Sequence, residues 1–315
     1  MPEAYTHIRI ARKAREELAR AGAQPARTAA YEMGANGPDP LFAYKFLSGK
    51  KPYPLPVLGE RMHTEQCGRF LRALVFRAYT DAQRSYALGF LTHYAADAAL
   101  HPYVASQTQP GAAFDMREGH GFCEVAMDTY FHEKDGLGPM VGAQDSSPAL
   151  APDELADVTA LLRACAQEVY GEDVPQEYLA DAFHDFCWLH GKVFAASRAK
   201  RAALWLAERV VLRKPGRALS HLTPAPQPAG GFAVRWTDPF TGVQREEAPD
   251  ALCEGAAGEA VRLCAAAVGY WRGAVGREQL AVAIGDRSYA TGRLSDPAPD
   301  AAPPCKESGD LTGNS

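Results

Sequence analysis

Apolar residues recur with helical spacing along most of this chain. The three-to-four-residue period places apolar side chains on one helical face, and it is found at 8–22, 64–80, 84–104, 119–134, 152–170, 175–213 and 250–273. Strand-like alternation of Val, Ile and Thr is rare. The pattern therefore predicts an all-α fold, a multi-helix bundle.

Two segments depart from the helical period. Residues 230–247 hold a plausible strand pair, FAVRW and VQREE, around a DPFTG turn, and predict a small hairpin or loop excursion. From residue 286 the chain is rich in Pro, Ser, Asp and Gly, which predicts a disordered tail over 286–315. Because nothing earlier marks a boundary, we expect one helical domain over 1–285.

Charged and polar side chains interrupt one of the apolar runs. His93, Asp97 and His101 lie four residues apart in ALGFLTHYAADAALHPYV, and steps of four offset side chains by only ~40° on a helix. Burying an imidazole and a carboxylate without partners costs several kcal/mol. The row predicts a metal site, with a metal-free His–Asp salt bridge as the alternative.

Further imidazoles and carboxylates suit the same site. His120 and Glu124 lie one helical turn apart, and three more candidates occur upstream. Any one histidine is more often an ordinary hydrogen-bonded residue, but imidazole and carboxylate together suit zinc. Eight potential ligands imply more than one ion. The candidate metal ligands are His7, Asp39, His63, His93, Asp97, His101, His120 and Glu124.

Other catalytic motifs are missing from the sequence. It has no GxSxG, no GxGxxG after a strand, no GxxxxGK[ST] and no HExxH. The seven cysteines show no CxxC spacing and are predicted to be reduced, mostly buried thiols. No catalytic or binding role can be assigned from their residues to two further segments, WTDPFTG at 236–242 and DRSYATG at 286–292. Metal-assisted hydrolysis is the chemistry that remains.

Charge and hydropathy limit the partners and the location. The net charge of −5 argues against a general nucleic-acid-binding protein. The start of the chain is charged, and no segment reaches ~18 apolar residues, so neither a signal peptide nor a membrane span is predicted. We therefore expect a cytoplasmic protein. Local basic patches are interpreted as a solvated helix face: Arg198, Lys200, Arg201, Arg209, Arg213, Lys214 and Arg217.

The order of the candidate ligands resembles the zinc-dependent phospholipase C family, whose relatives include single-strand-specific nucleases of the same fold. An N-terminal His, an Asp in a Gly- and Pro-rich turn, a His, H-x3-D followed by a further His, and H-x3-E all occur in sequence within residues 1–128. The resemblance implies an all-helical domain with a trinuclear zinc cluster at one end.

The resemblance also implies which residues share an ion. One zinc would take Asp39, His63, His93 and Asp97. Asp97 would bridge to a further zinc, which would also take His7. This ion is the least certain, so two to three zinc ions are predicted.

The remaining zinc would take His101, His120 and Glu124. In secreted members of the family, the ion bound by the N-terminal His also takes the free amine and the carbonyl of an N-terminal tryptophan. This chain departs from that pattern, because it starts with Met1 and Pro2.

The expected chemistry is zinc-dependent hydrolysis of phosphate esters. Clustered zinc lowers the pKa of a bridging water and binds the non-bridging oxygens of a phosphate. The resemblance implies that Asp39 doubles as the general base that orients the attacking water. Asp128, one turn after Glu124, is a candidate to accept hydrogen bonds from ligand imidazoles.

Three classes of function remain open at this point. The first is a phosphodiesterase or phosphomonoesterase acting on a soluble or lipid ester, with a phospholipid head group among the candidates and bulk membrane lipid less expected. The second is a single-strand nuclease, with nucleic acid as substrate stacked on aromatic side chains. The third is a zinc-stabilised helical scaffold without turnover, which requires closed coordination shells. The aromatic candidates are Tyr5, Phe42, Tyr44 and Tyr103.

Overall fold

The longest helix of the protein, Asp81–Gln107, spans 27 residues and is buried along most of its length. The structure is a computed structural model, and it describes residues 4–46, 54–211, 213, 215–216 and 218–294. The helices of these residues are α1 Ala4–Arg20, α2 Thr28–Gly34, α3 Pro40–Ala43, α4 Leu55–Thr64, α5 Cys67–Arg77, α6 Asp81–Gln107, α7 Gly119–Lys134, α8 Ala143–Ser146, α9 Pro152–Tyr170, α10 Gln176–Trp188, α11 Arg198–Val210, α12 Pro249–Trp271 and α13 Arg277–Ile284.

Helix α6 forms the centre of the bundle and packs most extensively against α2 and α12. It begins at a capping box, in which Thr80 Oγ1 accepts from the Gln83 N–H and Gln83 Oε1 accepts from the Thr80 N–H. The backbones of α2 and α6 touch at Gly89, where a Cβ would overlap the carbonyl oxygen of Tyr31. This close contact fixes the position of the helix that carries the H-x3-D-x3-H row.

The predicted hairpin is confirmed. Strand β1 (Arg235–Thr237) pairs antiparallel with β2 (Gln244–Glu246), and Trp236 lies opposite Arg245. Asp238 Oδ1 accepts the N–H groups of Phe240 and Thr241 at 2.8 and 3.2 Å, which stabilises the turn. The predicted all-α class is also confirmed, because this hairpin is the one sheet among the described residues.

The predicted helical stretch 175–213 is not continuous. Helix α10 leads into a π-helical segment, Leu189–Phe194, and α11 starts only after Ser197, whose Oγ accepts the Lys200 N–H. The N-cap at Ser197 opens a new helix, a local signal that periodicity alone does not detect. Short helices such as α3 and α8 also escape a periodic pattern, because four residues make barely one turn.

The prediction of disorder from residue 286 is wrong for 286–294. Asp286 Oδ1 accepts the Gly68 N–H at 2.7 Å, and the Tyr289 N–H donates to the His63 carbonyl at 3.0 Å. The Tyr289 ring is fully buried. Contacts of these few residues with the helical core outweigh their Pro- and Gly-rich composition. The rest of the predicted tail, 295–315, lies outside the described residues.

Two further observations concern cysteines and membranes. The cysteines within the described ranges are all free, in line with the predicted reduced thiols. No helix in this part of the chain combines the length and apolar character that crossing a bilayer requires.

Candidate metal centre

The predicted ligands converge on one open cavity of about 340 Å³. They arrive from four helices and from the turn before α3, where Asp39 lies. The cavity wall includes His7 of α1, Asp39, His63 of α4, Asp97 and His101 of α6, and His120 and Glu124 of α7.

Three groups of donor atoms form within this cavity and behind it. In each group, one nitrogen or oxygen atom per residue lies within 4.8 Å of the others. His93, which is buried behind the wall, belongs to two of the groups. All eight candidate ligands are thus brought together, in the groups His7, His93 and Asp97; Asp39, His63 and His93; and His101, His120 and Glu124.

Asp97 lies between these groups, and its two carboxylate oxygens face different imidazoles. Oδ1 is 3.2 Å from His7 Nε2 and 3.5 Å from His101 Nε2. Oδ2 is 3.0 Å from His93 Nε2 and 3.7 Å from His63 Nε2. Such an arrangement suits a carboxylate that bridges two ions.

Short distances around Asp97 do not amount to hydrogen bonds. Both of its oxygens and His93 Nε2 are buried, yet no partner within the described residues has hydrogen-bond geometry with them. An ionised carboxylate buried in this way is costly. The donor atoms of each group instead lie within 4.8 Å of one another, as those of metal ligands do, so the residues present fit zinc.

The backbone fixes three of the imidazoles in one orientation. His63 Nδ1 lies 2.7 Å from the Gly59 carbonyl, His93 Nδ1 3.2 Å from Ala35 O, and His101 Nδ1 3.0 Å from Tyr289 O. A carbonyl oxygen can only accept, so each Nδ1 carries the proton and donates. In the neutral imidazole each Nε2 then presents its lone pair to the cavity, which is the form that binds metal.

The carboxylates of the cluster stay ionised. Burial alone would raise the pKa of Asp97, but the charges of His101 and His93 hold it well below its usual range. Burial likewise opposes ionisation of Glu124, and His120 reverses that effect on its pKa. Burial also opposes ionisation of Asp39, but positively charged neighbours, His63 among them, lower the pKa of this carboxyl to about 2.

The carboxylates in turn raise the pKa of the His101 imidazole, which faces two of them. Burial lowers the pKa of His101, but Asp97 and Glu124 outweigh it and raise the value to about 9. The cluster therefore attracts positive charge, and a bound dication would take the place of that proton.

Asp128 has a different role from the one predicted. Its Oδ1 accepts the Thr6 N–H at 2.8 Å and the Thr6 hydroxyl at 2.7 Å, and its Oδ2 accepts the Tyr5 N–H at 3.1 Å. These are first-turn groups of α1, so Asp128 caps the helix that carries His7 instead of orienting a ligand imidazole. Burial nevertheless raises the pKa of this carboxyl to about 7.

Sequence reasoning missed two segments at the rim. Phe240, in the hairpin turn, and Ala290, in the segment predicted to be disordered, both line the cavity. Arg293 joins them, donating from Nη1 to the Phe240 carbonyl at 3.0 Å. These are the WTDPFTG and DRSYATG segments, whose neighbourhood depends on tertiary contacts that no local pattern reveals.

The aromatic side chains proposed for base stacking are mostly unavailable. Phe42 lines the cavity, whereas Tyr5, Tyr44 and Tyr103 are buried in the core. The Tyr5 hydroxyl donates to Asp135 at 2.7 Å. The core-packing explanation therefore applies to three of the four.

Together the fold and the site define a helical protein with donor groups for several metal ions in an open cavity. Comparison with family models gives a match to the model described as zinc-dependent phospholipase C over residues 6–198. This covers more than half of the chain and includes all eight candidate ligands. The chain belongs to the zinc-dependent phospholipase C family, which supports a zinc hydrolase. Comparisons with curated proteins and with solved structures gave no match.

Proposed function

We propose that this protein is a phosphodiesterase that uses a multinuclear zinc centre to hydrolyse phosphate esters, among them phospholipid head groups. The observation that carries the proposal is Asp97, whose oxygens face separate imidazole groups without a hydrogen bond among the described residues. Family membership supports the same chemistry.

We assign the ligands to ions as the family resemblance implies. One zinc would be held by Asp39, His63, His93 and Asp97, and a further ion by Asp97 with His7. The donor groups Asp39, His63 and His93, and His7, His93 and Asp97, support this assignment. When bound, zinc supplies an activated water and polarises the phosphate.

The third set of ligands joins two helices. It consists of His101 from α6 with His120 and Glu124 from α7, and Glu124 Oε1 lies 2.5 Å from His120 Nε2 and 3.5 Å from His101 Nε2. Half of the His120 side chain is exposed, so this set faces the open side of the cavity. A non-enzymatic scaffold would need closed shells, and this exposure favours catalysis.

Asp39 is the residue we propose to orient the attacking water. Its Oδ1 lies 3.4 Å from His63 Nε2, and the side chain forms part of the cavity wall. As an ionised carboxylate it can accept a hydrogen bond from a water in the cavity and hold one lone pair of that water toward the phosphorus.

The size and lining of the cavity support a small polar substrate group. A volume of about 340 Å³ is near the lower end for ligand sites, and suits a phosphate head group better than acyl chains. Phe42 and Phe240 at the rim would exclude water around the ester once it is bound.

Zinc content and hydrolysis test the proposal together. Protein purified without chelator is expected to bind about two to three zinc ions per chain and to hydrolyse an aryl phosphodiester and aryl phosphocholine faster than single-stranded DNA. His120→Asn should remove an ion and most of the activity. His184→Asn, at another exposed histidine, is the matched control and should change neither. Protein that takes up no zinc, or zinc-loaded protein that hydrolyses none of these esters, contradicts the proposal.

A further inference from the structure

Helix α11 presents an exposed apolar face. Trp205, Leu206 and Val210 are 49, 56 and 63% exposed. On a helix these side chains, with the neighbouring alanines, cover an arc of ~160°. Large apolar side chains grouped on a surface usually mark an interaction site.

The same helix and the loop after it are strongly basic in a chain whose net charge is −5. Seven Lys and Arg residues lie between 198 and 218, and Glu208 is the one acidic residue there. Its carboxylate is fully buried and accepts the N–H groups of Gly216 and Leu219 at 2.7 and 3.2 Å. The negative charge is thus directed inward, whereas Arg209 and Arg213 are exposed.

A groove of about 760 Å³ lies beside this face. Its apolar wall includes Met116, Phe122 and Trp205, and the charged residues that line it are all arginines. One of them, Arg209, lies over the Trp205 ring at 4.1 Å from the ring centroid. The groove therefore combines an apolar floor with positive charge at its edge.

We infer that α11 and this groove dock the protein on an anionic phospholipid bilayer. A helix with Lys and Arg around exposed Trp, Leu and Val matches those that lie in the lipid interface. Pairing with a second copy through this face would bring like charges together. A nucleic acid would satisfy the arginines but would leave Leu206 and Val210 without an apolar partner.

The docking surface and the metal centre share an element. The first turns of α7 carry Phe122, which lines the groove, and His120, which lines the metal cavity. A bilayer bound at α11 would therefore lie beside the helix end that carries a proposed metal ligand. The inference does not depend on the proposed hydrolase activity, because binding can be measured without turnover.

Vesicle co-sedimentation tests the inference. The full chain is expected to sediment with phosphatidylcholine vesicles that contain about one-third phosphatidylglycerol, and to bind pure phosphatidylcholine much more weakly. Leu206→Asp should weaken binding at least about tenfold by placing a charge in the apolar face. Arg209→Gln should weaken it about fivefold, the effect of about one kcal/mol per basic residue near an anionic surface.

Val282→Asp on α13 is the matched control, because Val282 is 83% exposed and lies outside the α11 surface. It should leave vesicle binding unchanged, and both Asp variants should keep the wild-type melting temperature and rate on an aryl phosphodiester. If Leu206→Asp unfolds the protein, Leu206→Gln replaces it. The inference is overturned by a failure to bind anionic vesicles, by equal binding of the two Asp variants, or by tighter binding to single-stranded DNA than to the vesicles.

Discussion

Helices α6 and α11 are both rich in alanine and both place charged side chains among apolar ones, but they do so in opposite settings. Most of α6 is buried, and its charged residue Asp97 has imidazole neighbours on both sides. In α11, Glu208 is the one buried side chain among those described, and its carboxylate accepts backbone N–H groups, whereas Arg209 is exposed. The comparison teaches that a buried charge points to a ligand only where the described residues leave it without a hydrogen-bond partner, as they do for Asp97 and not for Glu208.

The largest effect is expected from a substitution of Asp97, the buried carboxylate of α6. Asp97→Asn keeps the shape of the side chain but removes the charge and replaces one carboxylate oxygen with an amide nitrogen. We expect phosphodiesterase activity to fall about a hundredfold or more. Even the loss of a residue that only hydrogen-bonds a metal ligand lowers metal affinity or activity by about 10–100-fold. Metal analysis should show the loss of at least one zinc.

Asp81→Asn, at an exposed carboxylate in the first turn of the same helix, is the control and should keep both zinc and activity. Full zinc occupancy in Asp97→Asn would show that this carboxylate does not bridge ions.

Chelation should give the next largest effect. Without a cation, the buried carboxylates of Asp97 and Glu124 have only imidazoles to balance their charge, and metal binding free energy is lost from the fold. EDTA should lower the melting temperature by about 10 °C, which corresponds to a few kcal/mol in a domain of this size. Added zinc should restore it, and an unchanged melting curve would favour a metal-free polar network.

Gly89→Ala probes the packing that holds α6 in place. The new methyl would overlap the Tyr31 carbonyl, so we expect a loss of about 2 kcal/mol in the free energy of unfolding. Gly258→Ala, at an exposed site of α12 with open space around it, should instead stabilise the protein by about 0.5–1 kcal/mol. Denaturant unfolding measures both, and equal effects would mean that the two backbones are not in contact.

The smallest effect is expected at Asp128. Asp128→Asn weakens the cap of α1 and should cost about 1 kcal/mol of stability. If the cap also positions His7, zinc content should fall while the other ions stay bound. Asp153→Asn, at an exposed carboxylate in the first turn of α9, is the comparison variant. A loss of all zinc in Asp128→Asn would contradict a role confined to α1.

The sequence revealed the helical class and the candidate ligands because both depend on short-range order. His93, Asp97 and His101 share a face for geometric reasons, and the order of the further candidates is the family's own. The hairpin was also predictable, since its Asp-Pro turn and flanking strands are local signals. The division of ligands between ions and the cytoplasmic location remain predictions, and the departure at Met1 and Pro2 lies outside the described residues.

What the sequence did not show depends on contacts between distant segments. The hydrogen bonds of Asp128 with Tyr5 and Thr6 join residues more than 120 positions apart. Ala290 reaches the cavity only because the chain returns to it after α13. Arg209 and Arg213 are exposed, as predicted, but the apolar face of α11 is visible only when exposure is known.

The hydrogen bond between His101 and the Tyr289 carbonyl sets an order of events in biosynthesis. All candidate ligands have been synthesised by residue 124, yet the group that orients His101 is made 165 residues later. A nascent chain therefore carries a complete set of donors long before it can hold them in their final orientation. Maturation of the centre is expected to be completed after translation, and a shortened chain that ends at residue 285 should fold its helices but take up zinc less tightly.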